Sequence, residues 1–328
     1  MADKGNWMTE RQTPKTTRLA QRQEDVYEDD FHDEDVEAAP PSEHKVFGLG
    51  IPNAEARQPA YGQGVVVSVL TAGAVLLIAI ISIGIGDGAD PPLYSHTNMV
   101  FWLVSAVTLI LAGGGAQYAE RTASSAAVAV GQPRAATTMA TAWAVPFVAT
   151  FAAIVLVATF QNRAMLVFGP LITFLGTSGS LLSRDLLDEA DEQSTRVASV
   201  IHTIVVHGIA FLAFSGIYLN KLDSWVSVPL TAAVGGILIL ESLERGGIAA
   251  GRRIGYALLG AWVLGQATLA LNWWPTYGWT GGAVLLVAFY VAAGLMLVYS
   301  QRQQVTTRDL IEFGGVGGIF LVLLAVFA

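Results

Sequence analysis

Two histidines, His202 and His207, stand in an apolar stretch of membrane-spanning length, and one glutamine, Gln266, stands in another. An ionisable group inside a membrane segment is a functional candidate by default. His202 falls about a turn and a half from one end of its stretch, and His207 falls near the middle. At ~1.5 Å and ~100° per residue, their five-residue separation turns the rings about 140° apart, so the pair does not chelate one metal easily. No other apolar stretch contains histidine, which removes a bis-histidine haem between two helices of one chain. A single imidazole in this setting can relay a proton or ligate a pigment. It can also sit neutral and hydrogen-bonded to a neighbouring helix, which is the commoner, structural outcome. Gln266 is the expected partner for either histidine.

The second concentration of chemistry is Arg184–Arg196, RDLLDEADEQSTR, which holds Asp185, Asp188, Glu189, Asp191 and Glu192. Carboxylates at this density can hold Mg²⁺ against a pyrophosphate. The structural alternative is a solvated helical extension. Arg184 with Asp188 and Glu192 with Arg196 are opposite charges four residues apart, and Leu186, Leu187 and Ala190 form an apolar stripe. Glu241 and Arg245 repeat that four-residue pairing. The sequence offers no HExxH, GxSxG or phosphate-loop pattern, so no catalytic residue and no metal site is assigned, and the cofactor is left open. The chain has no cysteine, which excludes disulfides, thiolate metal sites and cysteine nucleophiles.

These residues must be positioned by membrane helices. The chain is 53% hydrophobic and 13% charged, with a mean hydropathy of +0.52. A soluble domain carries about 25% charge. Nine apolar stretches follow one another, at 64–86, 98–118, 142–160, 164–182, 197–219, 224–242, 254–272, 280–300 and 311–328. In lipid the backbone must satisfy itself, so each predicts a helix. The expected fold is an all-α, polytopic membrane bundle over 64–328, built partly from antiparallel hairpins, behind a disordered tail at 1–63. Gln161-Asn162-Arg163 is the tightest of the turns. Glycine numbers 34. Gly314 and Gly318 set a GxxxG spacing in the ninth helix, expected to serve packing within the bundle or a dimer face.

Orientation follows from Lys and Arg. Counting loops alternately, nine of the eleven in the body fall on one side and Arg163 and Lys221 on the other. The tail and this basic side are therefore expected in the cytoplasm and the C-terminus outside, with Tyr94, Trp225, Trp273, Trp274, Tyr277 and Trp279 as an outer aromatic girdle. Helices running inward end in Arg121, Arg184, Arg245 and Arg302, which reads either as duplicated hairpins or as the basic-inside bias alone. With nine helices, an inward N-terminus and an acidic inner loop, the layout resembles the UbiA-type membrane prenyltransferases. That resemblance implies Mg²⁺-dependent prenyl or lipid processing at the inner face. Those enzymes carry Asp-rich motifs after the second and sixth spans. Here those positions offer Glu120, and Glu241 with Glu244, so no residue is carried over.

The first 63 residues hold 13 of the 26 acidic and 7 of the 18 basic side chains. Residues 24–37 alone pack nine carboxylates, too polar to fold on their own. The net charge of −8 is thus mostly a property of the tail, and nothing points to nucleic acid. The polar start carries no secretory signal, so the first apolar stretch reads as retained. Compact loops and an Ala-, Gly- and Arg-rich composition point to a prokaryotic cytoplasmic membrane. Lipid is the expected surrounding, with a protein partner for 24–37 and an oligomer as further expectations. The leading functional expectation is a non-catalytic scaffold or complex subunit. A small-solute or ion transporter using His207 comes second, and the inner-face enzyme third.

Overall fold

Among the described residues, nine helices form where the nine apolar stretches lie. In the computed structural model they are α1 Gln58–Ile83, α2 Met99–Ala129, α3 Ala144–Phe160, α4 Met165–Leu187, α5 Glu192–Leu219, α6 Ser224–Ser242, α7 Ala250–Asn272, α8 Trp279–Arg302 and α9 Thr307–Phe327. Residues 58–83, 97–129, 140–187, 192–220, 222–244, 248–274 and 278–327 are described, and no strand occurs among them. The acidic segment 24–37 and most of the tail lie outside them, as do Asp188, Glu189, Asp191, Lys221 and Arg245.

Eight helices are long and apolar enough to cross a membrane, and the protein is membrane-embedded. The ninth, α3, has 17 residues, within the lower limit for a span. It is apolar all round, and nearly every side chain is buried. A helix with no polar face must sit inside the others, and α3 packs against α1, α2, α4, α5 and α6. Val145, Val148, Ala149 and Ala152 join the main core with α5, α6, α7 and α8, while Ala153, Ile154, Val157 and Ala158 join a second core with α1 and α2.

Two boundaries differ from expectation by more than five residues. α2 runs past residue 118 to Ala129, so Glu120 and Arg121 lie within the helix. The added segment is rich in alanine and carries no proline or glycine, so nothing ends it. α1 starts at Gln58, inside the stretch assigned to the tail, with Pro59 in its first turn where a missing N–H costs nothing.

α3 and α4 form the expected hairpin. Gln161 takes a left-handed conformation at φ 43° and donates its N–H to Val157 O at 3.0 Å, closing α3. Asn162 Oδ1 then accepts from Met165 N at 3.3 Å, starting α4. At the periphery, α9 packs on α8 and is the least covered helix. Its packing glycine is Gly317, where a Cβ would meet Val291 Cγ2 at 2.8 Å. Gly314 and Gly318 face open space, so packing within the bundle is not their role.

Candidate functional site: a buried charge cluster at the arginine end

Arg184 lies in the last turn of α4, at the end of the bundle where most arginines gather. Its side chain is 6% exposed and turns into the protein. Nη1 donates to Glu241 Oε1 at 3.0 Å and Nη2 to Glu244 Oε2 at 2.5 Å. Nε lies 3.9 Å from Glu120 Oε2, an ion-pair distance beyond hydrogen-bond reach. One guanidinium thereby joins α2, α4 and the end of α6.

Each glutamate has further donors. Thr141, just before α3, gives its N–H to Glu244 Oε1 at 3.1 Å and its hydroxyl to Oε2 at 2.7 Å. His202 of α5 places Nε2 3.1 Å from Glu241 Oε2. Its Nδ1 lies 3.1 Å from Ser183 Oγ, and that hydroxyl donates to Ser180 O at 2.9 Å. Both ring nitrogens thus face acceptors.

The cluster therefore draws on α2, α4, α5, α6 and the entry to α3. It sets one guanidinium and one imidazole against three carboxylates. Glu241 and Glu244 are buried, and a buried carboxylate is tolerated when paired and hydrogen-bonded. Arg253 of α7 and Asp309 of α9 are also buried at this end. Asp309 caps its own helix, accepting from Thr306 N at 2.9 Å and Thr306 Oγ1 at 2.6 Å. At the opposite end Asn220 and Asn272 tie helices together through uncharged groups. Asn220 Nδ2 donates to Thr159 Oγ1 at 2.8 Å and Gly216 O at 2.7 Å, and Asn272 Nδ2 to Ser224 Oγ at 2.9 Å.

Of the candidate polar site His202, His207 and Gln266, only His202 belongs to the cluster, and Asp188, Glu189 and Asp191 lie outside the described residues. His207 Nδ1 donates to Thr203 O of its own helix at 2.8 Å, and its ring packs on Phe289 and Tyr290 with centroids 5.5 and 6.1 Å apart. Gln266 is exposed on α7, so it does not serve the histidines; His202 takes Ser183 and Glu241 instead. Asp185 is half-buried in the last turn of α4, and Glu192 opens α5. Among the described residues no group of three His, Asp or Glu side chains is placed to hold a metal ion.

Residues 79–327 match the family described as Protein of unknown function (DUF5656). The chain belongs to that family. The matched range spans from the last turns of α1 to the end of α9, and every member of the cluster in this DUF5656 protein lies within it. Neither the curated proteins nor the solved structures give a match to the chain.

Sequence reasoning pairs Arg184 with Asp188 and Glu241 with Arg245 rather than with each other, leaves Glu120 and Glu244 without a role, and passes over Thr141. A signal was present. The basic-inside bias accounts for arginines at inner helix ends, but it gives no reason for glutamates there. Glu120-Arg121 and Glu244-Arg245 both follow apolar stretches in the sequence, and Glu241 lies three residues before Glu244 on one face. The four recurring arginines are not equivalent either. Arg184 is buried, Arg121 and Arg302 are exposed, and Arg245 lies outside the described residues.

Proposed function

We propose that this DUF5656 protein is a non-catalytic scaffold or subunit of a membrane complex, set in a prokaryotic cytoplasmic membrane with its N-terminus inside. One observation carries the reading. Every buried Arg, Asp and Glu among the described residues lies at one end, and hydrogen bonds there join α4, α5 and the end of α6. Such a cluster fastens helices together, whereas an ion path needs polar groups spread through the membrane depth. The orientation is supported by the sequence, where alternate loop counting puts nine of eleven basic residues on one side, and by exposed Trp225, Trp273, Trp274 and Trp279 at the end opposite the cluster. The acidic segment 24–37 supplies a surface for a basic protein partner.

Native mass spectrometry of the chain drawn from its own membrane tests the proposal. The full-length chain is expected to carry the mass of another polypeptide, and a chain lacking residues 1–44 is expected to lose it. A chain that emerges alone in both forms refutes the reading.

Transport of a small solute or ion is the second reading, and one feature favours it. Thr173, Thr177 and Ser180 lie on one face of α4, leading from mid-span toward Arg184, and their buried hydroxyls make no hydrogen bond. Unmatched hydroxyls in a row are where a file of waters binds. Flux in proteoliposomes that persists unchanged in Thr177→Val, His202→Gln and His207→Ala removes this route.

A further inference from the structure

We propose that α7 carries a self-association surface on which a second copy of this chain pairs Gln266 with Gln266. This deepens the subunit reading by naming one partner, but it rests only on α7 lying in a bilayer.

α7 packs against α6 and α8, and its remaining face is uncovered. Gly255, Leu258, Trp262, Gln266 and Leu269 run down that face, all exposed. Their spacings of three and four residues make one continuous stripe. Gln266 lies six residues before the helix end at Asn272, ~9 Å below it. Trp273 and Trp274, exposed just beyond, mark the interface. The carboxamide is therefore held in the hydrocarbon, two turns below the indoles. It has no hydrogen-bond partner among the described residues. Thr203, an exposed hydroxyl on α5, differs because it donates to Ser199 O at 2.8 Å within its own helix. A carboxamide has two donors and an acceptor, and in lipid no water meets them. Gln266 needs a polar group at its own depth.

Symmetry supplies that group. The basic-inside bias gives every copy the same orientation in the membrane. Two copies that meet through the same face are then related by a twofold axis along the membrane normal. Residues at equal depth near such an axis face their own counterparts, so Gln266 meets Gln266. Amide to amide is self-complementary, each oxygen taking an N–H from the other. Gly251 and Gly255, nearer the cluster end of the helix, have open space where a Cβ would stand, which lets two backbones approach.

The chain has no cysteine, so single cysteines report this contact directly. Trp262→Cys and Leu269→Cys, made in the full-length chain and oxidised in native membranes, are expected to give a disulfide-linked dimer. Ile319→Cys on exposed α9 is expected to stay monomeric. Adding Gln266→Leu to the Leu269→Cys chain is expected to weaken dimerisation about three- to thirtyfold, the range for an interhelical polar contact in a membrane. No dimer at either α7 position, or equal crosslinking at Ile319→Cys, overturns the proposal. So does a dimer indifferent to Gln266→Leu. A co-purifying polypeptide without self-crosslinking would keep the subunit reading and remove this surface.

Discussion

Replacing Arg184 with methionine keeps most of the side-chain volume and removes the charge that closes the cluster. Two charge-assisted hydrogen bonds are lost, those at 3.0 Å to Glu241 and 2.5 Å to Glu244. Bonds of this type contribute about 1.5–3 kcal/mol each. The larger effect is what remains. Glu241 and Glu244 are buried, and the neutral donor Thr141 does not replace the charge that Arg184 supplied. Breaking a buried pair by removing one partner costs about 3–5 kcal/mol. Arg184→Met is therefore expected to destabilise the protein by about that much, read as the shift in the denaturant midpoint for unfolding in mixed micelles. The reasoning has an internal control. If the cost comes from stranded carboxylates, Arg184→Met with Glu241→Gln and Glu244→Gln should recover most of it, because a neutral cluster has no charge to strand. Arg121→Ala, at an exposed arginine of the same end, should change stability by less than about 0.5 kcal/mol. A cost below about 1 kcal/mol for Arg184→Met, or a triple variant no better than the single one, would refute the view that buried charge pairing holds this end together.

Other outcomes follow from the same contacts. Gly282→Ala should destabilise the α5–α8 contact by more than about 2 kcal/mol, since its Cβ would lie 2.6 Å from Ser215 Cα, backbone that cannot step aside. Gly314→Ala, where space is open, should leave the melting temperature unchanged or slightly raised. Asn220→Ala removes the donor to Thr159 and Gly216 O and should cost about 1–2 kcal/mol in the same unfolding assay. Glu241→Gln separates fastening from proton handling. Its amide oxygen can accept from Arg184 or His202 but not from both at full strength, so a fastening role predicts a loss of about 1–3 kcal/mol with partner binding retained. Loss of a proton-coupled flux in a variant that still folds would assign the cluster to transport instead.

The helices were legible because lipid imposes a crude rule. A stretch of about twenty apolar residues that must satisfy its own backbone has one solution, and sixteen of the eighteen helix ends fall within five residues of the places that rule gives. α2 was read short because Glu120 and Arg121 looked like an end, when charge at the membrane surface does not by itself stop a helix. Helix facing was less legible. Gly314, Gly317 and Gly318 are chemically alike, yet Gly317 alone meets a neighbour at close range. Gln266 looked like a partner for the histidines because both are polar at membrane depth. α5 packs on α3, α4, α6 and α8, while α7 lies against α6 and α8, so their side chains have little chance to meet.

The cluster was hidden for a reason that also explains its place in the fold. Its members come from positions 120, 141, 183, 184, 202, 241 and 244, each ordinary where it stands. In water, burial of apolar faces would select which helices pair. In lipid that drive is absent, because one leucine face is as well solvated by acyl chains as by another helix. Selection among packings must then come from close fit and from polar groups that have one satisfactory arrangement. Arg184 has one such arrangement, with two carboxylates of α6 and a third on α2, while His202 brings in α5 and Thr141 fixes the start of α3. Helices docked in another order would leave at least one carboxylate unpaired at the membrane boundary. The cluster therefore acts on the choice of fold more than on its depth of stability. Arg184→Met should accordingly raise the fraction of misassembled or proteolysed chain in cells by more than the loss of equilibrium stability alone accounts for, and the neutral triple variant should restore stability without fully restoring correct assembly.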